Sequence, residues 1–158
     1  MPRTHRLLLL LLCAIALTAC HRGLVKRVSE PSVSLQQVTV GTDGRWQVEL
    51  RVQNYSNIPM RFEDIDLAVT VAGQDAGPLR ATPGYTIGPE AADVVGVTFT
   101  PTANARMAVA GALASGQPLP YTLKGTVRAT PEDQSVRSFD LDLHSSLSAA
   151  PGLAGVLR

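Results

Sequence analysis

Asp140, Asp142 and His144 fall at i, i+2 and i+4. In a strand that spacing places all three on one face. Two carboxylates and an imidazole so arranged offer oxygen and nitrogen ligands to a divalent metal. The wet face of an alternating strand produces the same spacing, because Phe139, Leu141 and Leu143 take the intervening positions. Glu63, Asp64 and Asp66 form a second acidic group. They lack the ligand spacing and the glycine of a calcium loop, and read as solvated corner residues. The chain carries no HExxH, GxSxG, GxGxxG or P-loop pattern. Without a nucleophile–base pair no enzyme is expected: no catalytic residue, no metal site and no cofactor.

The elements that would position such residues are short. Pro 11 and Gly 13 in 158 residues call for many turns, and hydrophobics at 45% with aromatics at 4% call for an aliphatic core. A net charge of +1 is too balanced for a general nucleic-acid binder.

From Arg45 to Asn54 the alternation is unbroken, with Trp46, Val48, Leu50 and Val52 on one side and Arg45, Gln47, Glu49, Arg51 and Gln53 on the other. That is a half-buried strand. Asn54–Asn57 is a polar turn, since Asn tolerates the left-handed region and bonds its own backbone. Asn54-Tyr55-Ser56 also matches a glycosylation sequon. Parity changes inside Val33–Val40, near Gln36-Gln37, and at Glu63-Asp64 predict bulges. Further strands are expected over 58–71, 94–100, 118–129 and 136–147, with a short one at best over Pro78–Thr82. Residues 72–77 read as a turn. Gly125 interrupts an apolar parity, a hint of close backbone approach. One helix is expected over Thr102–Ser115, with Thr102 as N-cap, Gly116 after the last turn, and Met107, Ala110 and Ala114 at helical spacing beside Leu113. About seven short strands with turns between them imply an antiparallel β-sandwich with one helix over residues 33–147. Residues 148–158 carry no pattern and read as a flexible tail.

The two cysteines, Cys13 and Cys20, both precede this domain. Arg3, His5 and Arg6 are followed by an apolar run from Leu7 to Ala19, the build of a signal peptide over residues 1–19. Thirteen apolar residues fall short of the about 20 that span a bilayer. Leu17-Thr18-Ala19-Cys20 resembles the bacterial lipobox. That resemblance implies cleavage between Ala19 and Cys20, a diacylglyceryl group on the Cys20 sulfur and an acyl group on its new amine. Palmitate is among the acyl groups it implies. An ordinary signal peptide that happens to contain a cysteine is the other reading. Two or more acyl chains hold a protein firmly to a membrane. His21, in place of Asp, resembles the sorting pattern of Gram-negative outer-membrane lipoproteins facing the periplasm. Residues 20–32 then form a lipidated N-terminus and a solvated tether, with Arg22, Lys26 and Arg27 within reach of lipid headgroups.

The order of strand, Asn-containing turn at Asn54 and Asn57, proline-bearing strand, late helix and Tyr121-Thr122-Leu123-Lys124-Gly125-Thr126-Val127 resembles the LEA type 2, or WHy (water stress and hypersensitive response), domain family. Family members carry an Asn-Pro-Asn-type turn; here no Pro stands between the asparagines and one residue is inserted. The resemblance implies an immunoglobulin-like or fibronectin-III-like sandwich and a role in desiccation, osmotic or cold stress. It brings no established catalytic residues. The expected partners are the membrane, through the lipid, and an envelope protein or lipid, with no nucleic acid. The alternative is a periplasmic lipoprotein that holds a lipid or small apolar ligand between the small-residue helix and the sheet.

Overall fold

The computed structural model describes residues 25–158. The signal peptide, its cleavage site, Cys13, Cys20 and His21 lie outside the described residues. The described chain folds into two antiparallel sheets and one helix. Its strands are β1 (Ser32–Val40), β2 (Trp46–Gln53), β3 (Met60–Val71), β4 (Gln74–Ala81), β5 (Tyr85–Ile87), β6 (Ala92–Phe99), β7 (Leu119–Pro131), β8 (Arg137–Leu147) and β9 (Val156–Leu157). The helix α1 (Ala103–Ser115) lies between β6 and β7. One sheet runs β6-β2-β1-β9; the other runs β4-β3-β7-β8, with β5 also on β3. This is the mainly β, sandwich-like architecture expected from the alternation.

The inward residues are those the period of two selects. Trp46, Val48, Leu50 and Val52 of β2 pack against Phe62, Ile65, Leu67 and Val69 of β3 and Leu123 and Val127 of β7 in one buried core. Both expected bulges are present: the β1–β2 register shifts between Leu35 and Gln37, and the β3–β7 register shifts between Phe62 and Asp64. Each extra residue restores the apolar parity to the core side after the bend. At the first bulge the Leu35 amide donates across the sandwich to the Tyr121 hydroxyl oxygen at 3.2 Å. Gly125 stands tight against β3: a Cβ there would fall on the Asp66 carbonyl oxygen.

Thr102 and Gly116 cap α1 as expected. The Thr102 hydroxyl accepts from the Ala105 amide at 3.3 Å, and Gly116 takes φ 67° with its amide donating to Ala112. The buried face is not the expected one. Ala105 and Val109 are buried, whereas Met107 is 74% exposed and Ala110 and Ala114 face solvent. In a helix apolar nearly all round, spacing alone does not choose a side.

Two stretches differ from their expected state, and one further short strand joins the sheet. Ala72 and Gly73, both at positive φ (46° and 76°), form a two-residue hairpin, so Gln74–Gly77 belong to β4 and not to a turn. Tyr85–Ile87 pairs with β3 as β5. The final residues return to the body: Val156 and Leu157 are buried and pair with Thr39 and Val38, Gly152 and Gly155 at φ 76° and 74° turn the chain back, and Ser148 and Arg158 exchange backbone hydrogen bonds.

Candidate functional site

β2 and β6 run antiparallel, with Trp46 opposite Phe99 and Gln53 opposite Ala92. The sandwich therefore has two ends. The turn end holds residues 54–59, 88–91 and 131–136; the helix end holds α1, the 41–45 turn and the C-terminal return.

At the turn end Asn54 is fully buried. Its Nδ2 donates to the carbonyls of Ile58 (2.9 Å), Ile87 (3.2 Å) and Gly88 (2.9 Å), while its Oδ1 accepts from the Ser56 amide at 2.9 Å. One side chain thereby satisfies four backbone groups from two loops, at a place where water is excluded. A glycan on so buried a side chain would displace these bonds. Ser56 is also fully buried, and its hydroxyl bonds both the amide and the carbonyl of Ser29, at 3.0 and 3.3 Å.

Asn57 faces outward and holds the chain that precedes β1. Its Oδ1 accepts from the Arg27 amide at 2.6 Å and its Nδ2 donates to the Val25 carbonyl at 2.8 Å. Its own amide donates to the Arg27 carbonyl at 3.2 Å. Outside these bonds, Lys26 Nζ pairs with Asp133 at 2.6 Å and Glu132 at 3.4 Å, and Arg27 with Glu90 at 3.5 Å. The carboxylates, Asp133 first, hold the exposed Lys26 ammonium above its ordinary pKa against some desolvation. Val28 packs on the core and Pro31 is buried. Residues 25–31, read from sequence as part of a solvated spacer, are thus a strap bound to the turn end. Asn54 and Asn57, singled out from sequence, meet here as the inner and outer halves of one knot. Ser29 and Ser56 are not legible in the sequence: small hydroxyl residues in a loop carry no signal of burial until the partner loop is in place.

The two acidic groups lie on the outer face of the five-stranded sheet. Asp142 pairs with Lys124 at 3.1 Å and with His144 at 3.2 Å, and the His144 ring also meets the Thr122 hydroxyl at 3.2 Å. Arg128 bridges Glu63 and Asp64 at 3.1 and 3.2 Å, and Arg80 pairs with Asp66 at 3.1 Å. The Thr130 hydroxyl first, and Arg128 after it, lower the Glu63 pKa against some desolvation. Asp140 shares this exposed face. These charges face one another across neighbouring strands, an arrangement that blunts like-charge repulsion on a wet sheet face. Among the described residues no group of three or more potential ligands is placed to hold a metal ion.

Between α1 and the sheets the core encloses a void of about 10 Å³, lined by apolar side chains including Trp46, Phe99, Val109 and Leu119. That is about the room of one water and offers it no polar partner. No helix among the described residues is long and apolar enough to cross a membrane.

A family model described as late embryogenesis abundant protein matches residues 49–145. A crystal structure of a protein from Archaeoglobus fulgidus is similar at 12% identity and a TM-score of 0.41, covering 76% of this chain and 97% of that one. A solution structure of a protein from Arabidopsis thaliana is similar at 10% identity and a TM-score of 0.49, covering 82% and 84%. No curated protein matches the sequence.

Proposed function

The chain belongs to the late embryogenesis abundant protein family of the type 2 class, and from that premise we propose that it is a non-catalytic, lipid-anchored envelope protein with a protective or binding role under desiccation, osmotic or cold stress. The anchor is Cys20, carrying S-diacylglycerol and an N-acyl group after cleavage behind Ala19, and the membrane is the outer membrane of a Gram-negative cell on its periplasmic side. The family match over residues 49–145 supports the protective or binding part of this reading, and the lipobox-like Leu17-Thr18-Ala19-Cys20 supports the anchor. Two features agree with it. The charged side chains of the five-stranded sheet pair with one another in place of converging on a cleft. Residues 25–31 form a strap held at one end of the body, a fixed point for a tethered chain.

The test is survival of a deletion strain after drying, freezing and osmotic shock, with complementation by the wild type and by Cys20→Ser. The expected result is loss of survival, restored by the wild type and not by C20S. Survival equal to that of the parent under all three stresses would overturn the stress role.

A further inference from the structure

The strap determines how far the body stands from whatever holds Cys20. Residues 25–31 are bonded to the turn end, so the tether is residues 21–24 and no longer. The five peptide steps from Cys20 to Val25 span at most about 18 Å whatever their conformation. The eight residues of β2 alone extend about 26 Å, so the tether is shorter than the body it holds. A body on so short a leash keeps its turn end beside the anchoring surface and its helix end away.

The turn end suits a headgroup layer. Val25 is 81% exposed, Tyr55 50% and Val136 50%, and a tyrosine with an apolar ring and a polar tip favours the membrane–water boundary. Lys26 and Arg27 are already paired with Asp133, Glu132 and Glu90, so the contact does not depend on anionic lipid.

Resting on the lipid-anchor reading above, we propose that the turn end of the sandwich, through Tyr55 and Val25, lies on the bilayer surface in which Cys20 is anchored, with α1 and the C-terminal return facing away. The test uses the full chain, matured in cells and reconstituted in phosphatidylcholine–phosphatidylethanolamine vesicles. Cys13 leaves with the leader and Cys20 is blocked as a thioether, so an added cysteine is the sole free thiol. Nitroxide labels are placed at Ser135→Cys, on the turn end, and at Met107→Cys, on α1. Their relaxation by a nickel chelate carried on lipid headgroups is then read, and intact mass is taken on the same sample.

The expected result is relaxation several-fold stronger at position 135 than at 107. It should be unchanged by added anionic lipid and reduced when 20 flexible residues are inserted after Arg22. A lipidated mass with equal relaxation at both positions, or stronger relaxation at 107, overturns the orientation alone. A mass without lipid overturns the anchor and the orientation together.

Discussion

Asn57 and Arg27 are bound to each other twice: the Arg27 amide donates to Asn57 Oδ1 at 2.6 Å, and the Asn57 amide donates to the Arg27 carbonyl at 3.2 Å. A turn residue here does the work of a neighbouring strand, and the segment before β1 is edge-paired without being a strand. Asn57→Ala should therefore free the strap while leaving the sandwich intact. The expected cost is about 1 kcal/mol of stability. Hydrogen exchange of the Arg27 amide, whose acceptor is the Asn57 side chain, should quicken about fivefold, with β2 and β3 unchanged. Exchange of the Arg27 amide at the wild-type rate would refute the strap.

Asn54→Ala should be far more damaging. The substitution leaves three carbonyls and the Ser56 amide without their partner in a buried place. Each orphaned group costs about 1–3 kcal/mol unless water reaches it. A loss of about 3 kcal/mol or more is expected in urea unfolding. The single tryptophan, Trp46, is buried and reports it by fluorescence.

The Tyr85 hydroxyl is buried without a hydrogen-bond partner among the described residues. Burial, and Asp93 after it, raise its pKa. Tyr85→Phe removes an unsatisfied group and keeps the ring, so a gain of about 1 kcal/mol is expected in the same urea assay. A loss of similar size would show that the hydroxyl is bonded after all.

Gly125→Ala should fail at the opposite extreme. Its Cβ would strike the Asp66 carbonyl oxygen, which belongs to the paired backbone of β3 and cannot swing aside. A destabilisation of about 3 kcal/mol or more, or no soluble protein, is expected. Wild-type stability would mean that the two strands stand further apart.

Lys26 and Glu63 give opposite pH dependences. The folded pKa of Lys26 is raised, so its contribution is present below the unfolded value near 10.5 and is lost as pH rises through the folded one. The folded pKa of Glu63 is lowered, so its contribution is present above the unfolded value near 4.5 and is lost as pH falls through the folded one. The strap should loosen first at alkaline pH, seen as faster cleavage at its N-terminal side by a protease active there. Thr130→Val should flatten the acid limb of the stability curve.

Most of the sandwich was legible because alternation is a local signal. Trp46–Val52 announced β2, and the parity changes at Gln36 and Glu63 announced both bulges, since a strand with one buried face cannot slip by one residue unnoticed. The caps of α1 were legible for the same reason: Thr102 and Gly116 act on the backbone beside them. Contacts made at long range were not legible. Val156 and Leu157 are too few to show a period, and they become a strand only because β1 offers an edge. The strap has no period at all; its partners are side chains some 30 residues away in Asn57 and Ser56, and more than 100 away in Asp133. The face of α1 was misread because alanine on every side leaves the choice to the sheet beneath it. Of the candidate site, Asn54 and Asn57 were visible as turn chemistry, but the knot they form with Ser29 and Ser56 needed the fold.

The claim that most depends on residue identity is the anchor at Cys20. Intact mass spectrometry of the protein extracted from membranes tests it in one step. The account predicts a chain beginning at Cys20 and carrying one diacylglyceryl and one acyl group, and a C20S variant without either. A mature chain that begins elsewhere, or begins at Cys20 with a free thiol, would contradict it.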